Sequence, residues 1–344
     1  MALVHVFVPT YRRAHLLKRA LQSLRAQTFP DWTAVVHNDE PSDPEPGRIV
    51  ADAGDARIRL LAHESNLGAV AAFNRGFQEV PESATFLSIL EDDSTWQPGF
   101  LATLKHALER NPTAHLAWCN QRISLENPDG SWRDTDRTVH PCGSGTRMPD
   151  EFTLVPWGAL SQATGARMAN GAMLIRRSSL PPPTPEDLPF SGMEAFRERL
   201  IQHPFVYVPE PLATYAQTQV SARDADGHRW GEIQTLLLAT FVRNSGMNVA
   251  GIRTFWSHLR EQSPPPTNLA LHAAIGDPSC RRLLRGATLR DWLRYFRTWI
   301  GHPHAAWACV RARKRHPVWW RMLDTATSGR FHEERERLAG GQQS

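Results

Sequence analysis

LVHVFVPTYRRAHLLKRALQSLRAQTFPDWTAVVH, residues 3–37, changes its hydrophobic period twice. The short β-branched runs at residues 3–9 and 32–37 predict strands, and residues 14–29 between them predict an amphipathic helix. A strand, a helix and a strand at this spacing favour a right-handed crossover between two parallel strands. The apolar face of the predicted helix consists of Leu17, Ala20, Leu21 and Leu24.

The same alternation continues along the next seventy residues. Strand patterns at 57–62 and 85–90 are each followed by a helix pattern, at 67–80 and 99–110. Repeated strand–helix units predict a doubly wound, mostly parallel sheet of the α/β class. Ligands of such sheets bind beyond the carboxyl ends of the strands, so the loops at those ends are the first place to search for a site.

Three polar loops follow the predicted strands: PTYRR (9–13), HNDEPSDPEPG (37–47) and EDDS (91–94). Their position would bring Asp39, Asp92 and Asp93 to one edge of the sheet. A nucleotide-plus-metal site needs such a set, because one carboxylate can bind a base or ribose while another shares a divalent cation with the phosphates. The alternative is that these are solvated acids of surface loops.

The run Glu91, Asp92, Asp93 ends a strand whose other residues are apolar. Neighbouring carboxylates repel one another, and burying them is costly unless a positive group lies beside them. The sequence therefore predicts that either water or a cation is the partner of these side chains.

Composition excludes several classes of protein. The chain has 344 residues, of which 41% are hydrophobic and 22% charged, as in soluble globular proteins. Its four cysteines are scattered without metal-binding spacing, which favours reduced thiols. The first residues lack the pattern of a signal peptide, and no apolar run reaches the roughly 18 residues of a membrane span. We therefore expect a cytoplasmic protein.

The last third of the chain is basic and rich in Trp. Residues 281–325 contain eleven Lys or Arg but only Asp291 and Asp324 as acids. Residues 289–300 have a helical period typical of a helix in an anionic membrane interface, so 285–321 could contact the inner membrane face; packing against the protein is the equal alternative. Nucleic-acid binding would leave the acidic loops unexplained and is not expected. The apolar residues of this helix are Leu289, Trp292, Leu293, Phe296 and Ile300, with Arg290, Arg294 and Arg297 mostly on its other side.

Read together, four segments resemble the nucleotide-binding half of family 2 glycosyltransferases with the GT-A fold. They are the run from Val6 to Trp32, HNDEPSD, NLGAVAAFNRGF and LEDDSTWQPGFL, and they occur in the family's order and at its separations. The resemblance extends over about residues 3–225. It implies a GT-A domain at 1–225, with a nucleotide-binding half at 1–112 and an acceptor half at 113–225. Residues 226–344 would then form a helical, basic C-terminal region.

The resemblance also implies roles for particular residues in binding a nucleotide-sugar, preferably a UDP-sugar, with dTDP or GDP as alternatives. Asp39 would bind the base, Asp92 would lie towards the ribose, and Asp93 would hold Mn²⁺ or Mg²⁺. The remaining implied donor-binding residues are Pro9, Thr10, Tyr11, Arg13, Asn66 and Arg75.

The acceptor half departs from the family pattern. Relatives place an Asp or Glu at the start of a helix as the general base, but alignment through Gly192 puts Met193 there. Glu194 is one place later, which rotates the side chain by about 100° on a helix. We expect Glu194 or Asp187 to be the base, with Glu186 as a further option. Thr218 stands where the family often has a His.

The implied function is inverting transfer of a sugar from a nucleotide-sugar to a hydroxyl of a glycan or lipid-linked acceptor, in cell-surface polysaccharide assembly. Two alternatives remain. The missing acid at Met193 is compatible with a pseudoenzyme that only binds the nucleotide-sugar. A metal-dependent nucleotidyltransferase would use the same acidic loops, although the resemblance of the acceptor half argues against it.

Overall fold

The computed structural model describes residues 3–140, 153–155, 168–201, 204–218, 227–262 and 264–340. Contacts divide the chain into two compact units. The first contains residues 1–156, 168–186 and 201–222, and the second contains 157–167, 187–200 and 223–344. Residues 187–200, which the sequence assigns to the acceptor half, therefore share a unit with the C-terminal helices.

The first unit is a mixed α/β layer. Its strands and helices alternate at first, as the hydrophobic periods predict, and its second half is mostly strands. In chain order the elements are β1 (Val4–Thr10), α1 (Ala14–Arg25), β2 (Trp32–Asn38), α2 (Glu45–Ala53), β3 (Ile58–Ala62), α3 (Ala69–Gln78), β4 (Phe86–Ile89), α4 (Phe100–Arg110), β5 (Leu116–Glu126), β6 (Trp132–Thr138), β7 (Thr153–Val155), β8 (Met173–Arg176) and β9 (Phe205–Gln217).

The strands of the described residues form one sheet in the order β3-β2-β1-β4-β8-β5-β9-β7, with β6 paired to β5. The first four strands are all parallel to one another, as expected for a doubly wound fold. The second half is mixed, because β8 runs antiparallel to both β4 and β5 while β9 is parallel to β5. Four parallel strands thus end on the same edge, next to the loops that the sequence singles out.

The core explains why these segments fold as they do. Helix α1 buries the predicted apolar face together with Leu16. Strand β1 lies between β2 and β4 and is buried along almost its whole length. Helix α3 approaches it so closely at Gly76 that a Cβ there would lie 2.6 Å from the Phe7 ring. Only glycine allows that approach, which packs the last turn of α3 against the middle of β1.

The second unit is helical. Its first helix, α5, contacts α6 and α12, and a Cβ on Gly192 of α5 would lie 2.0 Å from Cδ1 of Ile233. None of the described helices is long and apolar enough to cross a bilayer. The helices are α5 (Phe190–Leu200), α6 (Gly227–Ser245), α7 (Val249–Glu261), α8 (Thr267–Gly276), α9 (Leu289–Gly301), α10 (Pro303–Val310), α11 (Ala312–Arg315) and α12 (Pro317–Gly340).

Candidate active site

Polar side chains follow each of the four parallel strands at their carboxyl ends. Thr10 ends β1, Asp39 follows β2, His63 follows β3, and Asp92 comes shortly after β4. The backbone N–H of Asp39 donates to the Thr10 carbonyl over 3.0 Å, which extends the β1–β2 pairing into the loops. All four side chains are nearly buried. This edge of the sheet is therefore a built polar site and not a set of solvated loop acids.

The partner of the acidic run is a cation within the chain. The Arg13 guanidinium spans both aspartates, since Nη2 donates to Oδ1 of Asp92 over 2.5 Å and Nη1 donates to Oδ2 of Asp93 over 2.8 Å. The Asp92 side chain is only 1% exposed and that of Asp93 18%. Such a fork suits a guanidinium, because its N–H groups lie in one plane and at a fixed spacing. Arg13 therefore supplies the positive charge that the sequence requires beside these carboxylates.

Two further groups hold this pair in place. The Thr10 hydroxyl donates to Oδ2 of Asp92 over 2.8 Å. Arg19 of α1 donates from Nη2 to the backbone carbonyl of Asp93 over 2.9 Å, and its guanidinium stacks on the Trp132 ring at 3.5 Å. Burial raises the pKa of the Asp92 carboxyl to about 7, although the Arg13 charge opposes the rise. The carboxylate of Asp92 thus depends on Arg13 for its charged form.

Asp39 lies in a different environment. Oδ1 accepts hydrogen bonds from the Leu67 backbone N–H at 2.8 Å and from Nδ1 of His63 at 3.0 Å. Oδ2 accepts from the Gly68 backbone N–H at 3.1 Å and from Nδ2 of Asn66 at 3.2 Å. Gly68 has φ +79°, a left-handed conformation that favours glycine and turns its N–H towards the carboxylate. The four acceptor positions of Asp39 are therefore used to fix the loop that leads into α3.

A buried histidine pair extends inward from Asp39. Nδ1 of His63 lies 3.0 Å from Oδ1 of Asp39, and Nε2 of the same ring lies 3.2 Å from Nδ1 of His37. The pKa of His37 is lowered to about 3, mainly by burial and in addition by the nearby His63, Arg75 and His5. His37 is therefore neutral, and its ring packs edge-on against Phe7.

The turn after β1 has an unusual backbone. Arg12 has φ +55°, a conformation that non-glycine residues seldom adopt and that often occurs at functional sites. Its Nε donates to Oε2 of Glu40 over 2.5 Å, which links the β1 and β2 loops. Tyr11 beside it is 41% exposed, and Pro9 is half-buried at the end of β1.

The structure brings together Thr10, Arg13, Asp92 and Asp93, and places Asp39 with Asn66. Arg75 lies on α3, where its Nε donates to Oε1 of Glu79 over 2.6 Å. The role of Arg75 in donor binding stays a prediction.

Of the expected base residues, Glu194 and Asp187 lie in the second unit, whereas Glu186 is exposed in the first. Met193 is completely buried in α5, whereas Glu194 beside it is half-buried. Asp187 is exposed before that helix, and its Oδ1 accepts a hydrogen bond from the Trp319 indole over 2.9 Å. The two carboxylates are thus accessible to different degrees, and which one acts as the base stays a prediction.

Few side chains of this site are available as ligands for a divalent cation. The described residues contain no group of three or more His, Cys, Asp or Glu side chains arranged to hold a metal. Asp92 is committed to Thr10 and Arg13, which leaves Asp93 as the carboxylate with some exposure. Mg²⁺ commonly binds through one or two carboxylates and substrate phosphates, so the site fits an ion that arrives with a diphosphate.

Several residues of the site escape sequence reasoning. Arg19, His37, His63 and Glu40 have no motif of their own, and their roles depend on neighbours far away in the chain. His63 carried one usable signal, because it follows a predicted strand just as Asp39 does. The sequence resemblance implies donor binding for Arg13, but no local pattern signals its contact with both aspartates.

Known proteins match the first half of this chain in sequence. Residues 5–172 match the sequence profile described as Glycosyl transferase family 2. A relative from Rhizobium meliloti (strain 1021), "Succinoglycan biosynthesis protein ExoW", is 31% identical over 32% of this chain and 35% of its own length. An Escherichia coli relative, "UDP-Glc:alpha-D-GlcNAc-diphosphoundecaprenol beta-1,3-glucosyltransferase WfgD", is 30% identical over 27% of this chain and 36% of its own. The matched part thus spans about a third of each of these relatives.

Solved structures show the same fold. The crystal structure of S. aureus TarS 1–349 in complex with UDP-GlcNAc superposes with a TM-score of 0.53 and 14% sequence identity. The superposition covers 95% of this chain and 91% of that one. The profile match and the named relatives therefore identify residues 5–172 as a glycosyl transferase family 2 domain, and the superposition shows its GT-A fold.

Proposed function

We propose that this protein is an inverting glycosyltransferase that moves a sugar from a nucleotide-sugar to a hydroxyl of a glycan or lipid-linked acceptor. The observation that carries the proposal is the built acidic site at the ends of β1, β2 and β4, within the segment that matches the family. Relatives named for succinoglycan biosynthesis and for transfer to a diphosphoundecaprenol-linked sugar support cell-surface polysaccharide assembly as the setting.

The proposed donor is a UDP-sugar, with dTDP- and GDP-sugars as alternatives. A named relative uses UDP-Glc, and a protein of the same fold was solved with UDP-GlcNAc. Pro9, Thr10 and Tyr11 would line the pocket for the base and ribose. A base contact to the Asp39 carboxylate would have to replace one of its four present donors. The 3.2 Å bond from Asn66, which is exposed, is the easiest to exchange.

We propose Asp93 as the protein ligand of a Mn²⁺ or Mg²⁺ ion. When bound, such an ion would neutralise charge on the diphosphate leaving group. Arg13 shares the same carboxylate, so Asp93 is less attractive to a free cation than an unpaired carboxylate would be. We therefore expect the metal to bind much more tightly together with the nucleotide than alone.

Isothermal titration of Asp93→Ala with UDP and Mn²⁺ tests this assignment. We expect the variant to lose the metal-dependent part of UDP affinity while keeping its fold, because Asp93 lies at the surface edge of the pair. Asp52→Ala, an exposed aspartate of α2, is the matched control. Unchanged UDP affinity in Asp93→Ala would contradict the metal assignment.

The proposed chemistry needs one proton acceptor. Glu194 or Asp187 takes the proton of the acceptor hydroxyl, the oxygen attacks the anomeric carbon, and the bond from that carbon to the diphosphate breaks. The nucleoside diphosphate leaves with the bonding electron pair. Because the oxygen attacks from the side opposite the diphosphate in a single step, the configuration of the sugar is inverted and no covalent sugar–enzyme intermediate forms.

Single-turnover transfer by Glu194→Gln, Asp187→Asn and Glu186→Gln identifies the base. The true base variant should keep UDP-sugar affinity and lose turnover by roughly 10² to 10⁴, the usual contribution of a positioned base. The other two variants serve as controls. A parent protein that binds a nucleotide-sugar but transfers to no acceptor would instead support the pseudoenzyme, and transfer of a nucleotidyl group would support a nucleotidyltransferase.

The donor is identified by thermal shift with UDP-, dTDP- and GDP-sugars, each with and without Mn²⁺, because a ligand that binds only the folded state stabilises it. For location, we propose a protein of the cytoplasm with peripheral contact to the inner membrane face through residues 285–321. That setting would bring the enzyme to an acceptor carried by a membrane lipid.

A further inference from the structure

Helix α9 presents an apolar stripe to solvent. Leu289, Leu293, Phe296 and Ile300 are 76%, 57%, 54% and 84% exposed. At about 100° per residue these positions fall on a single narrow face of the helix. The amphipathic pattern alone allows packing of this face against the protein, but the structure leaves it uncovered among the described residues.

The opposite face holds α9 in place. Asp291 and Tyr295 are 3% and 4% exposed. Asp291 accepts a hydrogen bond from Nη2 of Arg260 over 2.7 Å and completes a capping box with Thr288. The helix is thus anchored through Asp291 and Tyr295, and the apolar side chains of its stripe point outward. This reverses the usual arrangement of an amphipathic helix on a soluble protein.

Basic side chains lie along one flank of the stripe. Arg290, Arg294 and Arg297 line an open groove of about 560 Å³ together with His302. On the other flank Trp292 and Trp299 are half-buried, and Trp299 contacts the 53%-exposed Trp307. Between Asp291 and Asp324 the sequence has no acidic residue at all. Exposed aliphatic residues between arginines and tryptophans match the acyl, phosphate and interfacial layers of a membrane.

We infer that this face of α9 docks the protein on an anionic phospholipid bilayer, with Leu289, Leu293, Phe296 and Ile300 entering the acyl boundary and the arginines binding lipid phosphates. The helix would lie parallel to the membrane plane, since its stripe extends along its whole length. This inference deepens the peripheral contact proposed above, but it is independent of the transferase activity.

Two other occupants fit less well. A second copy pairing through the same stripe would bring the arginines of both copies together without an acid between them. A surface that binds nucleic acid has arginines and aromatic rings at its centre, whereas three of the four side chains of this stripe are Leu or Ile. Charge and apolar exposure together therefore favour lipid.

Co-sedimentation of the full chain with vesicles tests the inference. The vesicles consist of phosphatidylcholine alone or mixed with phosphatidylglycerol, and contain neither glycan acceptor nor nucleotide-sugar. We expect binding to the anionic vesicles at low salt, weaker binding at high salt, and little binding to phosphatidylcholine. No binding to anionic vesicles at low salt, or equal binding to both kinds, would overturn the inference.

Paired variants separate the apolar and the charged contributions. Phe296→Ser/Ile300→Ser should lower the partition coefficient at least about tenfold, because both side chains lose their burial in lipid. Arg290→Gln/Arg297→Gln should lower it about thirtyfold, about a factor of five for each arginine, and should reduce its salt dependence. Val249→Ser/Ile275→Ser removes two other apolar side chains of the same unit, which are 54% and 43% exposed, and should bind like the parent.

Equal losses in the control and the stripe variant would also overturn the inference. Light scattering identifies the other occupant: a dimer that Phe296→Ser/Ile300→Ser dissociates, without vesicle binding by the parent, would assign the stripe to a second copy. Transfer to a soluble acceptor is measured separately. A parent protein that transfers sugar normally but does not bind anionic vesicles would refute only the docking face. A parent protein that binds the vesicles but transfers no sugar would refute only the proposed function.

Discussion

Two carboxylates flank β1 at the same edge of the sheet, and the protein stabilises them in opposite ways. Asp39, after β2, accepts hydrogen bonds from backbone and side-chain N–H groups. Asp92, after β4, is paired with a guanidinium. Neutral donors from the chain fix geometry permanently, because an unsatisfied N–H is costly. A charge partner can be exchanged for another cation, so the comparison suggests a rigid wall at Asp39 and an adaptable counter-ion at Asp92.

The largest effect on this comparison should come from Asp39→Asn. The amide places an NH₂ group where one carboxylate oxygen accepts two hydrogen bonds, so donors face donors. We expect the free energy of unfolding to fall by about 3 kcal/mol, given 1–3 kcal/mol for each buried group left unsatisfied. Urea unfolding without nucleotide measures it, with Asp52→Asn as the exposed control. A loss no larger than that of the control would mean that the Asp39 cage is not rigid.

Replacing Arg13 should cost less and should be reversible. Arg13→Gln leaves two adjacent carboxylates without their guanidinium, and we expect a loss of about 2 kcal/mol, because the 39% exposure of Arg13 moderates the cost of breaking a buried pair. Mn²⁺ alone should then bind the variant more tightly than the parent, and should restore part of the stability.

Isothermal titration calorimetry with Mn²⁺ and no nucleotide measures the Mn²⁺ affinity of the variant and of the parent. Arg25→Gln, on the exposed side of α1, is the control. Equal Mn²⁺ affinity in the variant and the parent would show that Arg13 is not an exchangeable counter-ion.

Burial of His37 should make the free energy of unfolding depend on pH. The pKa of His37 is lowered to about 3 by burial, so the unfolded chain binds a proton that the folded chain excludes. His37 therefore contributes its full stabilisation above about pH 6.5, and this is lost as the pH falls towards 3. His37→Gln should reduce the slope of stability against pH in that window by about 1 kcal/mol per pH unit.

Urea unfolding at a series of pH values measures the slope. His304→Gln, on the exposed start of α10, is the control. An unchanged slope in His37→Gln would mean that His37 takes up a proton as readily in the fold as outside it.

Asn66→Ala should have the smallest effect. Its Nδ2 bonds both the carbonyl and the carboxylate of Asp39, but Asn66 is exposed, so water can replace it. We expect a loss below about 1 kcal/mol. A double-mutant cycle with Asp39→Asn measures the coupling. A loss of stability as large as that of Asp39→Asn would show that Asn66 is essential for the conformation of the loop that leads into α3.

Sequence reasoning located the first half of this site because local patterns determine it. The periods of β1, α1 and β2 and the acidic ends of β2 and β4 are visible within short windows. The pairing of Arg13 with Asp92 is not, since it joins residues 79 apart in the chain and depends on a side-chain conformation. The exposure of the apolar stripe of α9 could not be predicted for another reason. Periodicity defines an apolar face, but it does not determine whether that face contacts protein or solvent.

The assignment of α5 also lay beyond sequence patterns. Gly192 packs against Ile233 of α6, a contact that no local pattern signals. In the same unit Trp319 of α12 donates to Asp187, and its ring stacks at 3.8 Å on His316, whose Nε2 is paired with the buried Glu232 over 2.6 Å. The residues expected to act on the acceptor thus share contacts with the end of the chain.

These contacts define where the gene could be recombined. A chimera that exchanged only residues 187–200 with a relative would place a foreign helix against Ile233 and leave Trp319 facing an unmatched loop. Exchange of 187–200 together with 223–344 would transfer the contacts intact. We therefore expect acceptor preference to be inherited with this discontinuous pair of segments, whose exchange takes three crossovers, at 186/187, 200/201 and 222/223, whereas exchange of 187–200 alone takes two.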